Sequence, residues 1–187
     1  MFIQTEDTPN PNTVKFLPGR AVMPSGLAEY KNSDEASKNQ LAENLFGLGH
    51  VARVFLGADF ISVTKEDEVE WQPLQTRIMA LIMDHITAGF PFYEASEASD
   101  DASSANEDDD ELTVQIKELL DERVRPMVAM DGGDIVFDRF EDGIVYLQMR
   151  GACAGCPSST MTLKSGIENM LRHYVPEVLE VRQAEEY

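Results

Sequence analysis

The chain has 187 residues, of which 43% are hydrophobic, so its length and composition fit one or two globular domains. Its formal net charge of −19 arises from 34 acidic and 15 basic residues, and the sequence contains no basic stripe suited to phosphate contacts. The charge therefore argues against nucleic acid as a partner, and the lack of any run of about 18 apolar residues argues against a membrane-spanning segment.

The first half of the chain, residues 1–93, is predicted to form a small α+β domain with the element order ββαββα. Residues 18–37 are rich in proline, glycine, serine and asparagine, which favours loop over most of that stretch. The regular elements predicted from hydrophobic period and turn residues are strands at 2–5, 13–17, 51–56 and 60–65, and helices at 38–48 and 73–87.

Histidine and aromatic side chains of this domain are interpreted as packing residues. His85 falls on the apolar stripe that includes Leu74 and Ile78, and no second potential ligand lies one helical turn away. We therefore expect His85 to lie in the core or at its edge rather than on a metal. Trp71 and the aromatic run 90–93 are expected to fill the core or anchor the following chain, with a docking patch as the alternative.

The middle segment, residues 94–110, contains only small and polar residues, and residues 94–111 carry nine acids and no base. Such a segment cannot bury enough apolar surface to offset the entropy of ordering it, so the sequence predicts an acidic, flexible, disordered linker. Two roles remain open for it, which are a tether that lets the second domain reach a partner and a simple solubilising spacer.

Residues 111–187 are predicted to form a second α+β domain of order αββαβ, with two helices packed on a three-stranded sheet. The first helix begins near 111 and places apolar residues at helical spacing, namely Leu112, Ile116, Leu119, Leu120 and Met127. The remaining elements are predicted as strands at 135–140 and 144–149, a helix at 158–174 and a closing strand at 178–182.

Three side chains of the second domain allow two interpretations each. Asp131 and Asp134 are expected to serve the turn after the first helix, and a metal-binding pair is the alternative. Met161 is predicted to point away from the core and to be either simply exposed or in contact with a second subunit or a client protein. The core face of its helix is predicted to comprise Leu163, Ile167, Met170, Leu171 and Tyr174.

The strongest chemical signal is the pair Cys153 and Cys156, the only cysteines in the chain, placed between a predicted strand and a predicted helix. A Cys-x-x-Cys pair can form a disulfide, bind a metal or hold part of an iron–sulfur cluster. Pro157 is expected at the first helical position and Cys156 at the N-cap. The free amides of that helical turn are then expected to lower the pKa of the thiols and so favour thiolates.

The number of ligands limits what one chain can hold. Zinc and cubane cluster sites normally take four protein ligands, whereas one chain offers two thiols and three isolated histidines, His50, His85 and His173. The simplest route to four ligands is a symmetric dimer in which each subunit contributes two thiolates. Such a site is held by few bonds per subunit and is suited to ligand exchange.

Several of these residues together resemble a known family. Arg125-Pro126, residues 130–134 (MDGGD) and residues 151–159 (GACAGCPSS) resemble the C-terminal domain of the Nfu (NifU-like) iron–sulfur cluster proteins. Residues 2–16 resemble the additional N-terminal domain of the mitochondrial and related bacterial members. The resemblance covers nearly the whole chain apart from the acidic middle segment.

The resemblance implies a scaffold and carrier, not an enzyme. It implies a homodimer that binds one 4Fe–4S cluster through Cys153 and Cys156 of each subunit and transfers it to client apoproteins. Upstream assembly machinery would supply the cluster. Residues 1–93 are then the Nfu-type N-terminal domain, 94–110 the linker and 111–187 the cluster-binding domain.

Two functions of other classes remain open at this point. A thiol–disulfide oxidoreductase also places Cys-x-x-Cys between a strand and a helix, but only 31 residues follow Cys156 and an antiparallel hairpin precedes the motif. A zinc-bridged dimer with a structural role would use the same four thiolates. Anaerobic reconstitution with iron and sulfide separates these alternatives from the cluster carrier.

The cysteine usage and the first residues predict a reducing compartment. Residues 1–7 lack the basic and apolar regions of a signal peptide, and their acidic residues argue against a transit peptide. The expected location is therefore the cytoplasm of a bacterium, or the mitochondrial matrix if the sequence is a mature eukaryotic form.

Overall fold

The computed structural model describes residues 2–24, 26–93, 110–155 and 157–184, with backbone only for 157–159. The chain divides into two compact units, Met1–Asp100 and Asp101–Tyr187. Each unit contains both strands and helices, so the predicted α+β class with two small domains is confirmed. The linker predicted at 94–110 lies outside the described residues except for Asp110, and the domain boundaries at 93 and 111 remain predictions.

The first unit is a five-stranded antiparallel sheet with helices packed on one face. Its elements are β1 (Gln4–Asp7), β2 (Thr13–Leu17), β3 (Ala28–Tyr30), α1 (Ser33–Ala36), α2 (Gln40–Gly47), β4 (Val51–Leu56), β5 (Ile61–Lys65) and α3 (Trp71–Thr87). The strand order is β1-β2-β5-β4-β3. Val54 and Val63 of the central strands are fully buried with Leu41 and Ile78 of the helices. Their neighbours Phe55 and Ser62, which point to the other face of the sheet, are buried as well.

The predicted order ββαββα omits two short elements, because residues 18–37, predicted as mostly loop, also contain β3 and α1. Tyr30 of β3 pairs with Val54 of β4, so a three-residue strand completes the sheet edge. Helix α1 follows at once, and the side chain of Asn32 accepts a hydrogen bond from the Glu35 amide at its N-terminus. The strand is too short to show a period, and its pairing partner lies more than twenty residues away, so the local sequence carried little signal for it.

His85 and Trp71 pack as predicted. His85 is buried, its Nε2 lies 2.9 Å from the Pro91 carbonyl oxygen, and its ring contacts Phe90 and Phe92. Trp71 packs against the core, and its indole N–H donates to the Pro11 carbonyl at 2.9 Å. The contacts of His85 fix the end of α3 and the chain that follows it, which is the anchoring role expected for the aromatic run. The hydrogen bond of Trp71 connects the start of α3 to Pro11.

The second unit is a three-stranded sheet with both helical stretches on one face. Its elements are α4 (Glu111–Leu119), a π-helical segment (Leu120–Val124), α5 (Arg125–Met130), β6 (Gly133–Glu141), β7 (Ile144–Gly151), α6 (Pro157–Tyr174) and β8 (Glu180–Gln183). Strands β6 and β7 are antiparallel, and β8 adds in parallel to β7. The predicted order αββαβ is thus confirmed, with α4, the π-helical segment and α5 forming the first helical stretch.

The π-helical segment explains why Met127, predicted to lie on the apolar face of the first helix, is exposed instead. Ile116, Leu120, Val124 and Val128 are buried, a spacing of four residues that a regular α-helix of 3.6 residues per turn could not keep on one face. The wider π turn absorbs the difference just before Pro126, whose ring would otherwise crowd the preceding turn. Met127 is therefore 60% exposed.

The core face of α6 is shorter than predicted. Ile167 and Leu171 are buried, and Leu163 and Met170 pack partly against the core. Tyr174, predicted to lie in the core, is 42% exposed and contacts the ring of His173 and the guanidinium of Arg123. Because Tyr174 is the last residue of the helix, its ring lies past the end of the sheet face that α6 covers.

The outer edge of the sheet is closed at one point by a side chain. Within the described residues strand β8 pairs with β7 alone, so its other edge is accessible to a further strand. The Val181 amide donates to the Glu168 carboxylate of α6 at 3.1 Å. This is one way in which edge strands are protected against pairing with another chain.

Among the described residues, no helix combines the length and apolarity that crossing a membrane requires.

Candidate functional site

The cysteine motif lies at the corner where β7 ends and α6 begins. Strand β7 ends at Gly151 and the helix begins at Pro157, the first helical position predicted for it. Cys153 lies in the connecting loop and carries a free thiol. Cys156 lies outside the described residues, so its predicted N-cap position and its role as a ligand remain predictions.

Four hydrogen bonds hold the Cys153 loop in place. The Cys153 amide donates to the Arg150 carbonyl at 3.3 Å, and the Ala154 amide donates to the Gly151 carbonyl at 3.1 Å. The Ala152 amide donates to the Gly132 carbonyl at 3.1 Å, which ties the loop to the turn after α5. The Thr160 hydroxyl donates to the Cys153 carbonyl at 3.3 Å from the other side. The loop is thus fixed by β7, by α6 and by the residues between α5 and β6.

Gly133 makes room for the Cys153 side chain. A Cβ atom added at Gly133 would lie 2.5 Å from the Cys153 Sγ and 2.8 Å from the Arg150 carbonyl oxygen, both far inside normal contact distance. Gly133 pairs with Gly151 across the hairpin, so two glycines face each other where the loop leaves the sheet. Any side chain at Gly133 would therefore displace the thiol.

The expectation of a lowered thiol pKa is wrong for Cys153. Burial, with smaller contributions from the carboxylates of Asp131 and Asp134, raises the pKa of the Cys153 thiol to about 12. Cys153 lies four residues before the start of α6 and packs against Gly133, so the free amides of the helix do not govern its ionisation. At neutral pH the Cys153 side chain is a neutral, buried thiol.

We expect Cys153 to react slowly with an alkylating reagent. In a Cys156→Ser chain Cys153 is the only thiol, and its labelling by iodoacetamide at neutral pH should be roughly a thousandfold slower in the folded protein than in urea, where an ordinary thiol pKa applies. The folded-state rate should keep rising with pH well beyond the range in which the unfolded thiol reaches its plateau. A folded-state plateau near neutral pH would contradict the buried, neutral thiol.

An ion pair between Arg125 and Asp134 connects α5 to the start of β6, close to the Cys153 thiol. The Arg125 Nε donates to Asp134 Oδ1 at 3.0 Å and its Nη2 donates to Asp134 Oδ2 at 3.1 Å, while Nη1 donates to Asp121 at 3.1 Å. Asp134 is 3% exposed. Burial raises the pKa of Asp134, and the hydrogen bonds and charge of Arg125 partly offset that rise. Asp134 lies in β6 rather than in the turn, and it pairs with Arg125, a structural role that the turn interpretation did not include.

The three histidines have local partners of their own. The Nδ1 of His50 lies 3.1 Å from the Glu66 carboxylate, His85 is buried as described, and His173 packs edge-on against Tyr174. Within the part of the chain that the structure describes, no three His, Cys, Asp or Glu side chains come together in a group able to hold a metal ion. Cys153 is accordingly the chemical centre of the site among the described residues.

Sequence reasoning missed the supporting part of this site. The motif residues Arg125, Asp134 and Gly133 were recognisable as a pattern, but their roles as ion pair and thiol cradle depend on contacts between α5, β6 and the loop. The paired glycines on either side of the hairpin gave the one available signal for a close backbone approach.

Two family models match the chain. The model described as the N-terminal part of the scaffold protein Nfu/NifU matches residues 3–89, and the model described as the NifU-like domain matches residues 116–182.

The curated relatives are similar over almost the full chain. NifU-like protein 5, mitochondrial, from Arabidopsis thaliana is 51% identical over 98% of this chain and 68% of its own length. The NFU1 iron-sulfur cluster scaffold homolog, mitochondrial, from Homo sapiens is 49% identical over 98% of this chain and 72% of its own length. A solution structure of a NifU-like protein from Saccharomyces cerevisiae covers 51% of this chain and 86% of that one, with 26% identity and a TM-score of 0.47.

Proposed function

Because this chain belongs to the Nfu/NifU family of iron–sulfur cluster scaffold proteins, we propose that it holds one 4Fe–4S cluster between two copies of itself and passes it to client apoproteins. Each copy contributes the thiolates of Cys153 and Cys156. The cluster is cargo, received from upstream assembly machinery and handed on, so the protein works as a carrier and not by catalytic turnover.

The position of Cys153 is the observation that carries this proposal. Its thiol lies on a loop fixed by four hydrogen bonds, at a strand-to-helix corner whose helix begins immediately after Cys156. Thiolate sulfur is the donor that iron–sulfur clusters use. Two such donors per chain supply half of the usual four ligands, so a second copy is the simplest source of the other half.

The neutral thiol of the free protein fits a reversible carrier. A thiol must lose its proton to bind iron. The high pKa of Cys153 therefore makes cluster binding less favourable and favours release of the cluster. Because the thiol is buried near Asp131 and Asp134, it is also shielded from oxidation in the cluster-free protein. A client whose own thiolates form more readily can then displace Cys153 from the cargo.

The same property weighs against a thiol–disulfide oxidoreductase. Such enzymes attack through an exposed thiolate of low pKa, whereas Cys153 is buried and its pKa is raised to about 12. A zinc-bridged structural dimer would use the same four thiolates and is therefore distinguished only by the identity of the bound metal.

The relatives' names guide the proposed location. The curated relatives are named as mitochondrial proteins, and we place this chain in the mitochondrial matrix on that basis, with the bacterial cytoplasm as the alternative for a bacterial source.

Anaerobic reconstitution with iron and sulfide tests the proposal. We expect about two iron atoms per chain, a broad visible absorption and a dimeric mass in solution, because four irons are shared by two chains. The free protein under the same conditions is the control for any dimer formed without cargo. A colourless monomer that cycles a disulfide between Cys153 and Cys156 would favour the oxidoreductase, and a colourless dimer holding zinc after exposure to both metals would favour the structural dimer.

A further inference from the structure

Among the described residues, three methionines of the second unit expose most of their side chains: Met127, which is 60% exposed, and two that neighbour the cysteine loop. Met130 is 74% exposed and Met161 is 69% exposed. Large apolar side chains kept in water on a folded domain mark candidate contact surfaces when they lie beside a functional group. Methionine is well suited to such contacts, because its flexible thioether adapts to the opposing surface.

Met130 is connected to the cysteine loop by the turn that follows α5. It is the last residue of α5, and two residues later the Gly132 carbonyl accepts the hydrogen bond from the Ala152 amide. Asp131, which follows Met130 directly, is close enough for its charge to act on the Cys153 thiol. The exposed side chain of Met130 therefore belongs to a residue adjacent to the turn that holds the cysteine loop.

Met161 flanks the loop from the side of α6. It lines an open groove together with Gly155, the residue before Cys156, and with Lys164 and Arg182. Its neighbour Thr160 donates to the Cys153 carbonyl. Met130 and Met161 thus lie beside the cysteine loop on two different helices, with the loop attached to both.

We propose that Met130 and Met161 pack against the second copy of this chain in the cargo-loaded dimer and set how tightly the two copies hold together. The inference rests on the proposed function, because a cluster shared by two copies brings their cysteine loops face to face. Side chains beside the two cysteine loops then become part of the interface between the copies. The two methionines supply apolar contact beside the cysteine loops, which opposes the repulsion between two copies of net charge −19.

The test replaces each methionine by glutamine, which has a similar length but a polar end. Burying a methionine side chain contributes enough to association that each of Met130→Gln and Met161→Gln should raise the dissociation constant of the loaded dimer about tenfold or more. The double variant should show the larger loss. Dissociation is measured by sedimentation of the reconstituted protein over a dilution series, with iron per chain determined at each concentration.

Leu179→Gln is the matched control. Leu179 is a comparably exposed apolar residue, at 62%, but it packs over Gly143 at the opposite end of β7 from the cysteine loop. Eight strand residues separate the two ends by roughly 25 Å. We expect this variant to match the unmodified chain in both the dissociation constant of the loaded dimer and the iron content. Thermal unfolding of every variant checks that all of them remain folded.

The outcomes separate the inference from the function on which it rests. If the unmodified chain loads a dimer and both methionine variants dissociate as it does, the inference is wrong and the proposed function stands. If the unmodified chain loads iron as a monomer, the proposed function fails before the methionines are tested. A loaded dimer that weakens steeply with added salt would also overturn the inference, because an apolar contact between like-charged chains should hold or tighten as salt screens their repulsion.

Discussion

A chain carrying Cys153→Ser should load no iron–sulfur cluster. A serine hydroxyl does not ionise in the range where a thiolate forms and is a poor ligand for the cluster, so each copy would keep one donor at most. Two such copies supply two of the four ligands, which should leave the reconstituted protein colourless and monomeric. Iron and sulfide per chain after anaerobic desalting measure the effect, and Cys156→Ser is expected to give the same result.

Folding must be separated from ligand loss in this experiment. Serine is close to cysteine in size, and the loop is held by backbone and Thr160 contacts that do not involve the thiol, so the variant should fold. Ser165→Ala, which removes an exposed hydroxyl from α6, should load like the unmodified chain. Full loading of the Cys153→Ser chain would remove Cys153 from the ligand set and with it the observation on which the proposal depends.

Arg125→Ala should destabilise the second unit by about 3 kcal/mol at neutral pH. The substitution leaves the buried carboxylate of Asp134 without the two hydrogen bonds that Arg125 donates, and removing one partner of a buried ion pair is strongly unfavourable. Urea unfolding followed by far-UV circular dichroism measures the loss. The single tryptophan, Trp71, lies in the first unit, so its fluorescence provides an internal control that should not change.

The pH dependence of this loss has a defined sign. Burial raises the pKa of Asp134 and Arg125 counteracts the rise, so without Arg125 the folded-state pKa should be higher still. A carboxyl whose folded pKa is raised favours the folded state below its unfolded pKa of about 4, and that contribution is lost as pH rises through the folded pKa. The deficit of Arg125→Ala should therefore be smallest at about pH 4 and grow toward neutrality.

Two further variants identify the buried carboxylate as the cause. Adding Asp134→Asn to Arg125→Ala removes the unpaired charge, and the double variant should recover part of the lost stability and lose the pH-dependent deficit. Arg172→Ala removes an exposed arginine that pairs with Glu168 one turn away, and its effect should stay within about 0.5 kcal/mol. A pH-independent loss in Arg125→Ala would point to lost packing by the arginine stem instead.

Much of the fold was predictable because its signals are local. The pair Asp142-Gly143 adopts positive φ at both positions and closes the β6–β7 hairpin at the predicted place. Pro157 begins α6 as expected. The elements that sequence reasoning missed depend on distant partners, as with Tyr30 against Val54, or on a departure from the α-helical period, as with the π turn that exposes Met127.

The sequence predicts the chemistry of the candidate site but not its surroundings. The spacing of Cys153 and Cys156 and the number of cysteines predict shared thiolate ligation, which stays a prediction. The sequence predicts the wrong direction for the pKa shift of the Cys153 thiol, because the following helix is the only neighbour of Cys153 that the local sequence identifies. The thiol is in fact buried against Gly133 and near two carboxylates from a turn about twenty residues earlier in the chain.

The carboxylate of Glu168 that accepts the Val181 amide has a consequence for how copies of this protein meet. Two identical domains with an open strand edge tend to join their sheets into one continuous ribbon, and such ribbons extend into fibrils. By occupying a backbone donor of β8, α6 makes that route of self-association less favourable. Association of two copies through other surfaces of the domain is thereby favoured over extension of the sheet.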